Sequence, residues 1–173
     1  GLTDEFLMRL TEFFQVLPSF ILAMVVVTLF KPTLWSIILA ISISTWTGTA
    51  RILRAEFMSI RERDFVTASR ALGSKNKRII FREILPNALP PMVVNASLMV
   101  GVAILFEAGL SFLGLGVQPP TPSWGAMIRD GLDQLTNAPW LSLFPGLAIF
   151  LTILSYNFIG EALRDALDPR LKR

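Results

Sequence analysis

The residues that could carry out catalysis in this chain are few. Its 173 residues include no His and no Cys, so the commonest general base, the commonest metal ligand and every thiolate site are absent. The segment ALGSKNKR contains Gly and Lys, but not at the spacing of a phosphate-binding loop. The sequence therefore predicts a chain that is not an enzyme and that holds no cofactor or metal of its own.

The most distinctive chemical feature is a basic segment between residues 51 and 82, flanked by long uncharged stretches. Its only anions are Glu56, Glu62 and Asp64. Its nine cations are Arg51, Arg54, Arg61, Arg63, Arg70, Lys75, Lys77, Arg78 and Arg82. The positive-inside bias keeps such a segment in the cytoplasm. Aromatic residues do not interleave with the cations, so membrane orientation explains the charge better than nucleic-acid binding, which is not expected.

Within this segment the spacing predicts a helix-turn-helix. The first helix has an apolar face of Phe65, Ala68 and Leu72 and an opposite face of Arg63, Thr67 and Arg70. Gly73 is placed to end it in a left-handed conformation, and Ser74 to cap a second helix that runs to Pro86. Such a pair forms a rigid lever between a cytoplasmic partner and the membrane. The alternative is a solvated basic loop near anionic lipid.

The rest of the chain is too apolar for a typical soluble domain, with 53% hydrophobic residues and a mean hydropathy of +0.58. A membrane-spanning helix needs about 20 apolar residues. Four uncharged stretches fit: 13–30, 32–50, 84–106 and 134–160. A fifth, 108–128, is rich in Gly and Pro and is expected to form an outer loop or short re-entrant segment, because irregular backbone cannot face lipid.

These stretches predict an all-α, polytopic membrane helical bundle with four transmembrane helices. Residues 1–12, the basic segment and the tail from 161 to 173 are expected inside. Ser42 and Thr45 lie in the second span, and Asn95 and Ser97 in the third. Two interpretations of these polar groups stay open: close helix packing, or a partly wetted translocation path. Glu107 fits an interfacial residue better than a gate.

The basic segment resembles a known family, the inner-membrane permease subunits of bacterial ABC importers for dipeptides, oligopeptides and nickel. Their signature reads E-A-A, three residues, G, nine residues, then I-x-L-P. The corresponding residues here are Thr67-Ala68-Ser69, then Gly73, then Glu83-Ile84-Leu85-Pro86. Thr67, Ser69 and Glu83 depart from the acidic residue, the second alanine and the isoleucine. The segments DEFLMRLTEFFQVLPSFILA, AILFEAGLSFLGLGVQPPTPSWGAMI and ALRDALDPRLKR resemble the same branch.

The resemblance implies a single permease domain over residues 1–173, with residues 51–90 as its cytoplasmic coupling region. Such permeases usually have six spans, so two more are expected before Gly1. The implied partners are a second homologous permease, two cytoplasmic ATPases that hold ATP and Mg, an external solute-binding protein and the lipid bilayer of the bacterial inner membrane. The implied cargo is a peptide or nickel.

The residues implied in ATPase docking lie along the first helix of the basic segment and its turn. They are Arg63, Phe65, Thr67, Ala68, Ser69, Arg70, Leu72 and Gly73, with Leu85 and Pro86 at the end of the motif. Because Thr67 replaces the acidic residue, a family-type ion pair with the ATPase is not expected at this position.

Two alternatives come from other classes of protein. A secondary transporter driven by an ion gradient commonly has ionisable groups inside the membrane, whereas no charge lies mid-span in the four predicted spans. A membrane scaffold without transport would leave uptake intact when its gene is deleted.

Overall fold

The computed structural model describes residues 2–167, which form helices and short connections with no strand among them. In chain order the helices are α1 Leu2–Val16, α2 Ser19–Leu29, α3 Leu34–Arg61, α4 Asp64–Ala71, α5 Asn76–Arg78, α6 Leu85–Phe112, α7 Trp124–Gly131 and α8 Trp140–Leu167. A π-helical turn, Ile79–Ile84, joins α5 to α6, and a 3-10 turn, Leu132–Gln134, follows α7. The predicted all-α fold is confirmed, while the end of the predicted inner tail lies outside the described residues.

Three helices are long and apolar enough to cross a membrane: α3, the continuous helix Asn76–Phe112 that includes α6, and α8. A fourth span exists only if α1 and α2 count as one broken span, because they meet at 87°. The 11 residues of α2 rise about 16 Å, roughly half of a hydrocarbon core about 30 Å thick. The predicted span 13–30 is therefore bent, since Pro18 disfavours helical backbone at the preceding residue.

The prediction that the second helix of the basic segment ends at Pro86 is wrong, because one continuous helix of 37 residues runs from Asn76 to Phe112. Pro86 lies in the first turn of α6, and Pro90 and Pro91 lie inside it. Each proline removes one backbone hydrogen bond, a loss that membrane helices tolerate by local rearrangement. The π-helical turn immediately before Pro86 is such a rearrangement, with the Leu85 N–H donating to the Ile80 carbonyl.

The predicted outer loop 108–128 is only partly irregular. Helix α6 continues through its first residues and ends at Phe112. Two residues further on, Gly114 has a φ of +83°, which favours glycine. Irregular backbone covers 113–123, and α7 begins at Trp124 after Ser123, whose hydroxyl accepts a hydrogen bond from the Ala126 N–H at 3.1 Å. Helix α7 lies so close to α6 that a Cβ on Gly125 would be 2.1 Å from the Ala108 carbonyl oxygen. This end is a packed helical cap.

The buried apolar side chains form two clusters, one towards each end of the bundle. The cluster near the cap contains Ala23, Val26, Val27, Ile37, Ala40 and Leu110. The other, which we call the basic-end core, contains Ile60, Val66, Ile79, Ile84 and Ala88. The basic-end core joins the end of α3, α4, the π-helical turn and the start of α6. Helix α4 is therefore fixed to the bundle and does not hang free in a loop.

Candidate functional site

Helix α4 ends at a glycine turn that fixes the direction of the chain into α5. Gly73 has a φ of +81°, which confirms the predicted left-handed conformation. The Gly73 N–H donates to the Arg70 carbonyl at 3.0 Å, and the Ser74 N–H donates to the Ser69 carbonyl at 3.2 Å. These two bonds satisfy carbonyl groups at the helix end. The predicted Ser74 cap is wrong, because Lys75 is the cap residue of α5 and no side chain caps that helix.

The two sides of α4 have different environments. Val66 is completely buried in the basic-end core and anchors the helix. The predicted apolar face points away from the bundle, with Phe65 42% exposed and Leu72 87% exposed. Ala68, between them, is also exposed. We call Phe65, Ala68 and Leu72 the apolar edge. Exposed apolar side chains that lie together on one anchored helix form a candidate interaction surface.

The polar residues predicted beside this edge are also exposed. Within residues 2–167 neither Arg63 nor Arg70 forms an ion pair, so both guanidinium groups can contact a partner. The Thr67 hydroxyl donates to the Asp64 carbonyl at 2.8 Å within the same helix. The predicted docking residues thus lie together on the exposed side of α4, with Ser69 as the exception.

Ser69 points towards the body of the bundle. Its hydroxyl donates to Oε1 of Glu83, in the π-helical turn, at 2.5 Å. Both residues were departures from the family signature in sequence, and the structure brings them into contact. Leu85 and Pro86, the motif end, follow in the first turn of α6, where Leu85 is half-buried and Pro86 is exposed. The Asn87 side chain donates to the Glu83 carbonyl at 2.6 Å.

Helix α1 is attached to α3 beside this site. Arg54 donates two hydrogen bonds to the Asp4 carboxylate, at 2.7 and 2.8 Å, and Arg51 donates one to Gln15 at 2.6 Å. The hydrogen bonds from Arg54 lower the pKa of Asp4. A cavity of about 740 Å³ lies between α1, α3 and the π-helical turn, with Trp46 among its lining residues. These contacts hold α1 against the C-terminal half of α3.

The four candidate residues of a translocation path do not lie together. Thr45 and Asn95 line one cavity of about 380 Å³, where the Asn95 amide approaches the Thr49 hydroxyl at 3.4 Å. Ser42 is exposed elsewhere on α3. Ser97 packs against α8, since a Cβ on Gly160 would be 2.6 Å from its hydroxyl oxygen. The cavity at Thr45 is lined by Gln15, Ser19, Ser44, Thr45, Thr47, Gly48, Thr49, Ile52, Asn95, Met99, Val102 and Phe106.

Sequence reasoning missed three contributors to these sites. Val66 lies outside the predicted apolar face. The only sequence pattern that could have indicated its burial is that it shares a helix face with Ser69, three residues later, which also points towards the bundle. Thr47 and Thr49 lie in the second predicted span and line the cavity at Thr45, but spacing along the sequence could not separate cavity-lining hydroxyls from packed ones. Glu107, by contrast, was singled out in the sequence as an interfacial residue. It lies near the C-terminal end of α6 and accepts a hydrogen bond from the Ser111 hydroxyl at 2.6 Å.

Comparison with known proteins gives one consistent result. The family described as "binding-protein-dependent transport system inner membrane component" matches residues 1–173. A dipeptide transport system permease protein of Escherichia coli is 46% identical over 167 residues, and one of Alkalihalophilus pseudofirmus is 44% identical over 169 residues. An oligopeptide transport system permease protein of Bacillus subtilis is 40% identical over 173 residues. These alignments cover 96–100% of this chain and 56–57% of the relatives. The chain thus spans about half of their length.

Proposed function

Since the chain belongs to the family of binding-protein-dependent transport system inner membrane components, we propose that it is a permease subunit of an ATP-driven peptide importer. The related proteins are named as dipeptide and oligopeptide permeases, which favours peptide over nickel as the cargo. The proposal includes two cytoplasmic ATPases, a second permease subunit and an external solute-binding protein. ATP and Mg belong to the ATPases, and this subunit is not an enzyme.

The observation that carries the proposal is the apolar edge of α4. Phe65 and Leu72 are exposed on a helix whose other side is anchored by the buried Val66. A partner that contacts this edge pushes on a fixed element, so the push reaches the bundle without being absorbed by a flexible loop. The ATPases are the proposed partner, because they must exert force on the permease from the cytoplasmic side.

The path for that force is continuous. Helix α4 connects through Gly73 to the 37-residue helix Asn76–Phe112, which crosses the membrane. The same helix carries Asn95, which lines the same cavity as Thr45. Movement of α4 would therefore move one wall of that cavity. We propose that Thr45 and Asn95 line part of the translocation path, that Ser97 holds α6 against α8, and that Ser42 lies off this cavity.

Two features argue against the alternatives. No charged residue lies between positions 34 and 50, 85 and 106, or 140 and 160, whereas ion-coupled carriers commonly place ionisable groups inside the membrane. A scaffold has no need for a cavity between helices that is lined by several hydroxyl and amide side chains. On this proposal residues 1–173 form one permease domain, and residues 51–90 are its coupling region on the cytoplasmic side.

The direct test is transport by the complete importer in proteoliposomes. Radiolabelled dipeptide should accumulate only when ATP is inside the vesicles with the ATPases and the binding protein is outside. A vesicle without this subunit is the matched control. Accumulation driven by an ion gradient in the absence of ATP would contradict the proposal and support a secondary transporter. Unchanged uptake in cells lacking the gene would support the scaffold.

A further inference from the structure

The contact between Ser69 and Glu83 joins α4 to the start of the long membrane helix. Its O–O distance is 2.5 Å across 14 residues of sequence. Among the described residues it is the only side-chain hydrogen bond that links α4 to another element. The remaining attachment of α4 is the burial of Val66 in the basic-end core. The packing of Val66 holds α4 against the core, and the hydrogen bond adds a directional contact that restricts rotation of the helix about that anchor.

The Glu83 carboxylate depends on this bond. Its second oxygen, Oε2, is buried and has no hydrogen-bond partner in the part of the chain that the structure describes. Removal of the Ser69 hydroxyl would leave a carboxylate in this site without a donor, which is costly in free energy. Removal of both groups would be far milder, because a buried apolar pair has no unmet hydrogen bonds.

In the signature that the basic segment resembles, these two positions hold alanine and isoleucine, which are both apolar. In this chain the two positions hold serine and glutamate, and the two side chains bind each other. Glu83 also lies in the π-helical turn, where the Leu85 N–H donates five residues back and the helix is locally widened. A wide turn next to Pro86 transmits force less faithfully than a regular α-helix. The bond from Ser69 attaches α4 directly to Glu83 within this turn, so the position of the turn is fixed relative to α4.

We propose that Ser69 and Glu83 are positioning residues that fix the orientation of α4 on the π-helical turn, so that movement of α4 is transmitted to the membrane helix α6. This inference rests on the proposed function. It adds that coupling in this chain depends on a polar bond where the signature has an apolar pair.

The first test measures the attachment of α4 without any transport assay. The 173 residues include no Cys, so a Val66→Cys substitution introduces a single thiol. Because position 66 is completely buried, a thiol-reactive reagent should label it only when α4 detaches from the basic-end core. In the assembled importer Ser69→Ala should raise the rate of labelling at position 66 by roughly tenfold, on the scale of a lost hydrogen bond to a charged group. Ser155→Ala is the matched control, because that hydroxyl bonds only within its own helix. Equal labelling rates at position 66 in the Val66→Cys chain alone, with Ser69→Ala and with Ser155→Ala would refute the proposal.

The second test is repair by a second substitution. Ser69→Ala should lower the number of peptides transported per ATP hydrolysed severalfold. Adding Glu83→Ile, which restores the apolar pair, should return the ratio to near the unmodified value. Glu83→Ile alone should also lower the ratio, because it removes the acceptor of the Ser69 hydroxyl. A double variant no better than Ser69→Ala would overturn the proposal.

Two further variants separate the possible failures. Ser69→Thr keeps the hydroxyl and should resemble the unmodified chain in both tests, so a loss there would mean that shape, not the bond, matters at this position. If Leu72→Asp leaves coupling intact, the proposed docking itself has failed. If Leu72→Asp uncouples the importer while the Ser69 variants do not, only the role of the Ser69–Glu83 bond is refuted.

Discussion

Replacing Leu72 by aspartate tests the docking of α4 in the simplest way. The Leu72 side chain is 87% exposed, so it contributes little to the fold of this subunit. The new carboxylate would be solvated when α4 is free and desolvated when a partner covers the apolar edge. Any effect on activity therefore reports on the contact with the partner.

The expected size of the effect follows from burying a charge without a counterion. An uncompensated charge at a buried contact costs about 3–5 kcal/mol, and each 1.4 kcal/mol corresponds to about a tenfold change in an equilibrium constant. Docking should therefore weaken by roughly a hundredfold to a few thousandfold. A smaller term, about 0.3–1 kcal/mol, comes from a negative charge at the C-terminus of α4.

The assay is peptide-stimulated ATP hydrolysis and ATP-driven uptake by the reconstituted importer, with membrane insertion checked by the amount of subunit recovered. Leu72→Asn is the matched control for charge, since it has nearly the same shape as aspartate, and Leu72→Met is the control for apolar contact. We expect loss of coupling with Asp, a weaker loss with Asn and near-normal transport with Met. Normal stimulated hydrolysis and uptake in Leu72→Asp would refute the reasoning.

Three other predictions address the hinge, the cap and the topology. Gly73→Pro forces φ towards about −65° where the backbone needs +81°, so uptake per ATP should fall although insertion is normal; unchanged uptake would contradict it. Gly125→Ala should lower the stability of the subunit in detergent by about 1–3 kcal/mol, because the added methyl group meets the backbone of α6; Gly146→Ala, with open space around it, is the control that should not. Single cysteines at Lys75 and Gln118 should react from opposite sides of the membrane, so an impermeant reagent that labels both from one side would overturn the orientation.

The helices that cross the membrane were readable in the sequence because lipid demands long uncharged stretches. The glycine turn after α4 was readable for a similar reason, since Gly73 follows an amphipathic helix at the position that needs a left-handed residue. The bend between α1 and α2 was missed because the run 13–30 is uncharged across Pro18, and hydropathy does not register a change of direction.

The candidate site was predicted in part. The pattern identified Phe65, Ala68 and Leu72 as one face, but it could not say whether that face is buried or exposed. The anchor, Val66, is the lone apolar residue of its side, so it has no periodic signal. The bond between Ser69 and Glu83 was not predictable, because it depends on the path of the chain between the two helices. Local spacing carries no information on such contacts.

The central claim is that the apolar edge of α4 contacts an ATPase, and site-specific cross-linking tests it most directly. A photoreactive amino acid at position 72 should form an adduct with the ATPase subunit in the assembled importer, while the same group at position 118, at the far end of the bundle, should not. Nucleotide that closes the ATPases should change the yield at position 72 alone. Absence of an ATPase adduct at 72, or equal yields at 72 and 118, would contradict the account.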